Sequence, residues 1–173
     1  MAKSDSMMIS AAMNARLNDQ ISVEFAAAFA YLAMACVFDA MGLKVLRERF
    51  LKQWDEEREH AMKIIRYLSE VGGSVTLKTI DKPRSDYKSV EAIVATALKN
   101  EKDVTTKIND LVALAEKEKD YATRSFLEWF VDEQVEEVST MIDLLHLVKL
   151  AGPNVLQVES SLRHQLLAEK DED

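Results

Sequence analysis

Residues 46–71 read LRERFLKQWDEEREHAMKIIRYLSEV. Leu46, Phe50, Ile64, Leu68 and Val71 recur at the three- and four-residue steps that line one side of an α-helix, with Gln53 or Trp54 and His60 or Ala61 at the steps between. In the middle of this apolar seam stands Glu57. It lies three residues before His60, so both side chains leave the helix on one face and can hold one ion between them.

Three further stretches repeat the pattern. Leu17, Ile21, Ala28, Tyr31, Ala35 and Phe38 form a seam whose gap is filled by Glu24. Val90, Val94, Ala97, Val104, Ile108, Leu111 and Ala115 form one interrupted by Glu101. Phe126 or Leu127, Phe130, Met141, Leu144 and Val148 form one interrupted by Gln134 and Glu137, spaced like Glu57 and His60. A single mid-helix Glu is more often a buried, hydrogen-bonded residue than a ligand. Four seams polar at the same depth are a different matter. Carboxylates gathered in one layer of a core repel one another and lose hydration, and no Lys or Arg falls on the seams to compensate. A pair of divalent metal ions is the simplest remedy, because four carboxylates roughly neutralise two such ions. An oxygen-rich set with one histidine suits iron or manganese better than structural zinc.

Composition and punctuation supply the frame. The chain has 173 residues with only 4 Gly and 2 Pro, which predicts an all-α protein in one domain over residues 1–173. Helices are expected from about Met8 to Met41, stopped by Gly42, and from Leu43 to Val71, stopped by Gly72-Gly73. A third is expected from Ser89, as N-cap, to Lys117, and a fourth from Tyr121 to Leu150, closed by Gly152-Pro153. A short fifth follows from Asn154 to about Ala168, before a frayed acidic tail, Glu169 to Asp173. The bundle proper therefore covers about 8–150, and the fifth helix about 154–168. Connections 1–2 and 3–4 are short and predict antiparallel hairpins. The aperiodic stretch Ser74 to Lys88 is long enough to run the ~43 Å back along a helix. Two hairpins joined by one long crossover make a recognised variant of the four-helix bundle, in which the fifth helix must pack elsewhere.

The formal net charge of −8 argues against a nucleic-acid partner and suits attraction of cations. Cys36 is the lone cysteine, so no intrachain disulfide framework is possible. It is expected to pack in the core of a cytoplasmic protein. Met1 to Ser6 lack the form of a signal peptide, and no segment reaches the ~18 uninterrupted apolar residues that cross a membrane.

With these residues placed, the chain resembles the ferritin family over nearly its whole length. The resemblance is carried by LNDQISVE (17–24) leading to Tyr31, by EEREHAM (56–62), by Glu101 and by FLEWFVDEQVEE (126–137). It implies a ferritin-like four-helix bundle with one long crossover and a short C-terminal helix. Bacterioferritins resemble this chain but carry a second Glu-x-x-His on helix four and a haem-ligating methionine after the helix-two glutamate. Gln134 with Glu137, and Arg58, stand at those positions here, so the branch resembled is the haem-free prokaryotic one.

The resemblance further implies a ferroxidase. Glu24 and His60 hold a first iron, Glu101 and Glu137 a second, Glu57 bridges them, and Gln134 influences the oxygen chemistry. Glu56, Glu133 and Glu136 match a third iron site, although as solvated charges they need no ligand. Tyr31 and Trp129 match electron-donating aromatics of the family, while from sequence alone core packing is the stronger reading of both. Family members form a hollow shell of twenty-four subunits. The acidic residues of the threefold channels of animal ferritins do not carry over, since Arg124 and Leu127 occupy those positions. Two rivals stand beside this reading: a small di-iron oxidase or peroxidase of the rubrerythrin type, and an inert bundle with protonated central carboxylates.

Overall fold

The computed structural model describes residues 8–171, with side chains in the last helix as far as His164. The expectations for Met1 to Ser6 and for the last two residues of the acidic tail lie outside these. The elements are α1 (Ala11–Ala40), α2 (Lys44–Glu70), α3 (Val90–Glu118), α4 (Tyr121–Ala151) and α5 (Val155–Asp171), with no strand among the described residues. Helix α1 pairs with α2 and α3 with α4. The hairpins meet through α1 and α3, and α5 packs on α2 and α4.

Local chemistry sets the ends. Ser89 accepts from the Ala92 N–H at 3.1 Å and starts α3 where expected. Helix α1 begins three residues later than expected, because the Ser10 side chain accepts from the Met13 N–H at 2.9 Å and caps it there. Lys119, at φ 58°, closes α3, and Asp120 caps α4 through the Thr123 N–H at 3.0 Å. The fifth helix runs past Ala168 to Asp171, so residues 169–171 of the acidic tail are helical rather than frayed.

The N-terminus of α2 has no cap of its own. Glu159 of α5, itself buried, accepts from the Val45 and Leu46 N–H groups at 3.0 and 2.8 Å. That tertiary cap, with buried Val158 and Leu162, fixes α5 against the end of the bundle. The crossover is anchored to α1 in the same manner. Asn14 accepts from the Ser74 N–H, while Asn18 donates to the Ser74 carbonyl and Lys78 pairs with Asp19. Gly73 is required by close approach, since a Cβ there would lie 2.6 Å from Asn14 Oδ1 and 2.9 Å from Leu68 Cδ2.

One expectation about α1 fails. Cys36 is exposed rather than packed in the core. The helix is long and apolar enough, by length and mean composition, to cross a membrane, although its uninterrupted apolar run, Phe25 to Phe38, stays short of the ~18 residues a span needs. Its inward side nevertheless builds the bundle seam, with Leu17, Ile21, Glu24, Ala28, Tyr31, Ala35 and Phe38 all buried. The outward side keeps apolar groups such as Phe29, 46 % exposed.

The core consists of two apolar bodies. One gathers Tyr31, Phe38, Leu46, Phe50, Val94, Met141 and Val148, with Val158 and Leu162 of α5. The other gathers Met13, Leu17, Ile21, Ile64, Leu68, Ile108, Leu111, Leu127 and Phe130. Between them lies the polar layer that the four seams predict.

Candidate metal centre

Glu24, Glu57, His60, Glu101, Gln134 and Glu137 are all buried, at 5 % exposure or less. Each sits mid-helix with apolar turns above and below, so the apolar packing that excludes water from the core also strips it from these groups. Glu24, Glu57 and His60 come closest together, with one potential ligand atom from each within 4.8 Å of the others. His60 Nδ1 lies 3.6 Å from Glu57 Oε2, the contact that the three-residue spacing predicts. Glu101 and Glu137 fall outside that tight triad, but their charges act on Glu57 within the same layer.

Neighbours satisfy some of the oxygens. Gln20 donates to Glu24 Oε1 at 2.8 Å, and Tyr31 donates its phenolic O–H to Glu101 Oε1. Gln53 donates to Glu137 Oε1 at 3.1 Å and to Glu56. Thr105 donates to Gln134 Oε1 at 2.8 Å. Glu24 Oε2, both oxygens of Glu57 and Glu101 Oε2 remain buried without a hydrogen-bond partner. Burying an unpaired carboxylate oxygen costs more than a hydrogen bond returns, so these atoms are the groups a cation would relieve.

Electrostatics agree. Burial first, and then the charge of Glu57, push Glu24 well above the usual carboxylate range. Burial and the charge of Glu101 do the same to Glu57, and burial raises Glu101. Glu137 is pushed up to about 8, by burial and then by Glu101, Glu56, Glu133 and Glu136. Burial, reinforced by Glu101, raises the Tyr31 phenol well above its usual value. Without a cation, the layer favours protonated carboxyls.

A family profile described as a ferritin-like domain matches residues 14–151. The chain belongs to the ferritin family. Among its relatives is a bacterial non-heme ferritin of Staphylococcus haemolyticus, 41 % identical over 133 residues, which make up 77 % of this chain and 80 % of that protein. Ferritin BfrB of Mycolicibacterium smegmatis is 35 % identical over 155 residues, covering 90 % of this chain and 86 % of that one. An open pore ferritin from the hyperthermophilic archaeon Archaeoglobus fulgidus superimposes with a TM-score of 0.87 at 38 % identity, over 90 % of this chain and 96 % of that one. This ferritin is therefore of the haem-free prokaryotic kind.

The outer acidic residues are arranged differently from the inner ones. Glu56, Glu133 and Glu136 join Glu137 around a cavity of about 230 Å³ that Arg49, Lys52 and Thr140 also line. Glu136 is exposed, and Lys52 pairs with Glu56 at 3.4 Å. Tyr31 is buried, whereas Trp129 is 37 % exposed and meets the His60 ring edge-on. Sequence reading missed Gln20 and Thr105 and left Gln53 undecided against Trp54. Gln20 had a signal, because it stands one turn before Glu24 on the same face. Thr105 had the same signal, standing one turn after Glu101, but its bond to Gln134 follows only from the position of α4.

Proposed function

We propose that this ferritin stores iron, oxidising Fe(II) with dioxygen at a two-iron site in each subunit and holding the Fe(III) as mineral inside a shell of twenty-four subunits. The observation that carries the reading is the set of orphaned carboxylate oxygens on Glu24, Glu57 and Glu101, buried in one layer with His60. With no Lys or Arg on the seams, these carboxyls either hold protons or take a cation, and a cation satisfies the oxygens that protonation leaves without partners. We take the chain as one domain throughout, working in the cytoplasm.

In this reading Fe(II) is the substrate. Glu24 and His60 take one ion, Glu101 and Glu137 take another, and Glu57 bridges them with its two unpartnered oxygens. Carboxyls that hold protons in the metal-free layer release them as Fe(II) enters, because the cation reverses the balance that favoured the neutral form. Gln20 and Gln53 hold Glu24 and Glu137 in place by their hydrogen bonds, so the ligands need little reorganisation. Thr105 fixes which end of the Gln134 amide faces the layer, by donating to its oxygen. Each Fe(II) gives one electron to dioxygen, and the ferric product leaves toward the acidic cavity of Glu56, Glu133 and Glu136, where a third ion binds. Tyr31, hydrogen-bonded to Glu101, stands ready to supply a further electron with its proton passing to that carboxylate.

Aerobic loading of metal-free protein with a large excess of Fe(II), followed by size-exclusion chromatography and iron assay, tests this. Iron far beyond two or three per subunit, co-eluting with a large assembly, is the expected result. Iron stopping near two per subunit on a small species would replace storage by the oxidase reading. No oxidation above the protein-free rate would leave the inert bundle.

A further inference from the structure

Two aromatic rings approach the polar layer, and their surroundings are opposite in kind. Tyr31 is buried and donates its O–H to the Glu101 carboxylate, a built-in proton acceptor. Trp129 lies with its ring centroid 5.3 Å from that of His60, at an interplanar angle of 79°. Lys63 places its Nζ over the indole, 3.8 Å from the ring centroid. Lys63 and His60 are three residues apart on α2, so one helical turn carries both the proposed ligand and the cation that covers its aromatic neighbour.

An ammonium on the face of an indole is held by the negative potential of the π system. Taking an electron from the ring removes that potential and leaves two positive charges in contact. The arrangement therefore stabilises the reduced indole specifically, whereas the hydrogen bond of Tyr31 eases its oxidation. We propose that Lys63 is a positioning residue that keeps Trp129 reduced next to the iron site, sparing it as an electron source and leaving that role to Tyr31. The purpose of this device rests on the ferroxidase reading, but the device itself can be tested without iron.

The first test uses metal-free protein and pulse-generated azide radical, a neutral one-electron oxidant, in aerated buffer. The radical takes one electron from an indole and becomes azide. The oxidised ring loses its N–H proton to water, a second azide radical takes a further electron and becomes azide, and water adds to the ring with loss of a proton, leaving one oxygen that marks the peptide for mass spectrometry. The chain has 2 Trp, so Trp54 serves as the internal reference within each molecule. Lys63→Gln is expected to raise the Trp129-to-Trp54 oxidation ratio about fivefold or more, and Lys63→Arg to restore the parent ratio. An unchanged ratio in Lys63→Gln, or an equal rise in Lys63→Arg, overturns the proposal. In a second arm, repeated aerobic Fe(II) additions should oxidise Trp129 in Lys63→Gln and spare it in the parent. If the azide arm behaves as expected while the parent fails to oxidise Fe(II), the ferroxidase reading falls and the protection of Trp129 by Lys63 stands.

Discussion

Replacing Glu137 by Gln should make the metal-free protein more stable at neutral pH while impairing its iron chemistry. The carboxyl is pushed from 4.5 up to about 8 in the fold. Its folded form therefore favours the proton. Below the unfolded value both states are protonated and nothing is lost. As pH rises through that value the unfolded chain ionises first, and stability falls by about 1.4 kcal/mol per pH unit until the folded group ionises too. At pH 7 the accumulated loss is about 3 kcal/mol per subunit, an upper figure because Glu101 and Glu57 share the same field and relax together. The amide introduced by Glu137→Gln keeps the shape, still accepts from Gln53, and never ionises. Guanidinium unfolding followed by circular dichroism, with chelator present and subunit concentration fixed, reads the difference. The variant should exceed the parent by about 2 kcal/mol at pH 7, with the gap closing toward pH 4.5 and levelling above pH 8. A gap independent of pH, or a parent more stable at pH 7, would refute the electrostatic reasoning. Adding Zn(II) should reverse the order, because only the carboxylate repays the cost through metal binding.

Glu57→Ala removes the bridging oxygens and should slow rapid Fe(II) oxidation at least about a hundredfold in stopped-flow absorbance, with the fold retained; oxidation at the parent rate would rule out the assigned role. Glu133→Ala with Glu136→Ala should leave the fast phase intact but lower tight anaerobic Fe(II) binding from about three ions toward two per subunit, read by titration calorimetry. Gly73→Ala drives a Cβ to within 2.6 Å of Asn14 Oδ1 and should cost about 1–3 kcal/mol in chemical unfolding. Glu159→Ala strips the tertiary cap from α2, costing about 1–2 kcal/mol and accelerating hydrogen exchange at the Val45 and Leu46 amides selectively.

Helix number, the crossover and the six residues of the polar layer were legible because they are local and periodic. A seam repeats every three or four residues whatever its partner, so Glu24, Glu57, His60, Glu101, Gln134 and Glu137 announce themselves as interruptions. Helix α1 shows where that logic stops. Its stretch from Phe25 to Phe38 is apolar all round, so composition put Cys36 in the core; the seam register held for Tyr31 and Phe38, which are buried, whereas Cys36 falls off that register and is exposed. The choice between Gln53 and Trp54 failed for a related reason. Adjacent residues differ by about 100° around the helix, and only the position of α4 turned Gln53 toward Glu137.

What the sequence determined by itself was the set of elements and the layer of charge within them, since both follow from spacing along one chain. The tertiary structure alone decided which oxygens of that layer are left without partners, which carboxylates stand closest to His60, that Glu159 caps a helix more than a hundred residues away, and that Lys63 covers Trp129. Such pairings join residues whose separation in sequence carries no period, so they exist only once packing has fixed the distance and direction between helices.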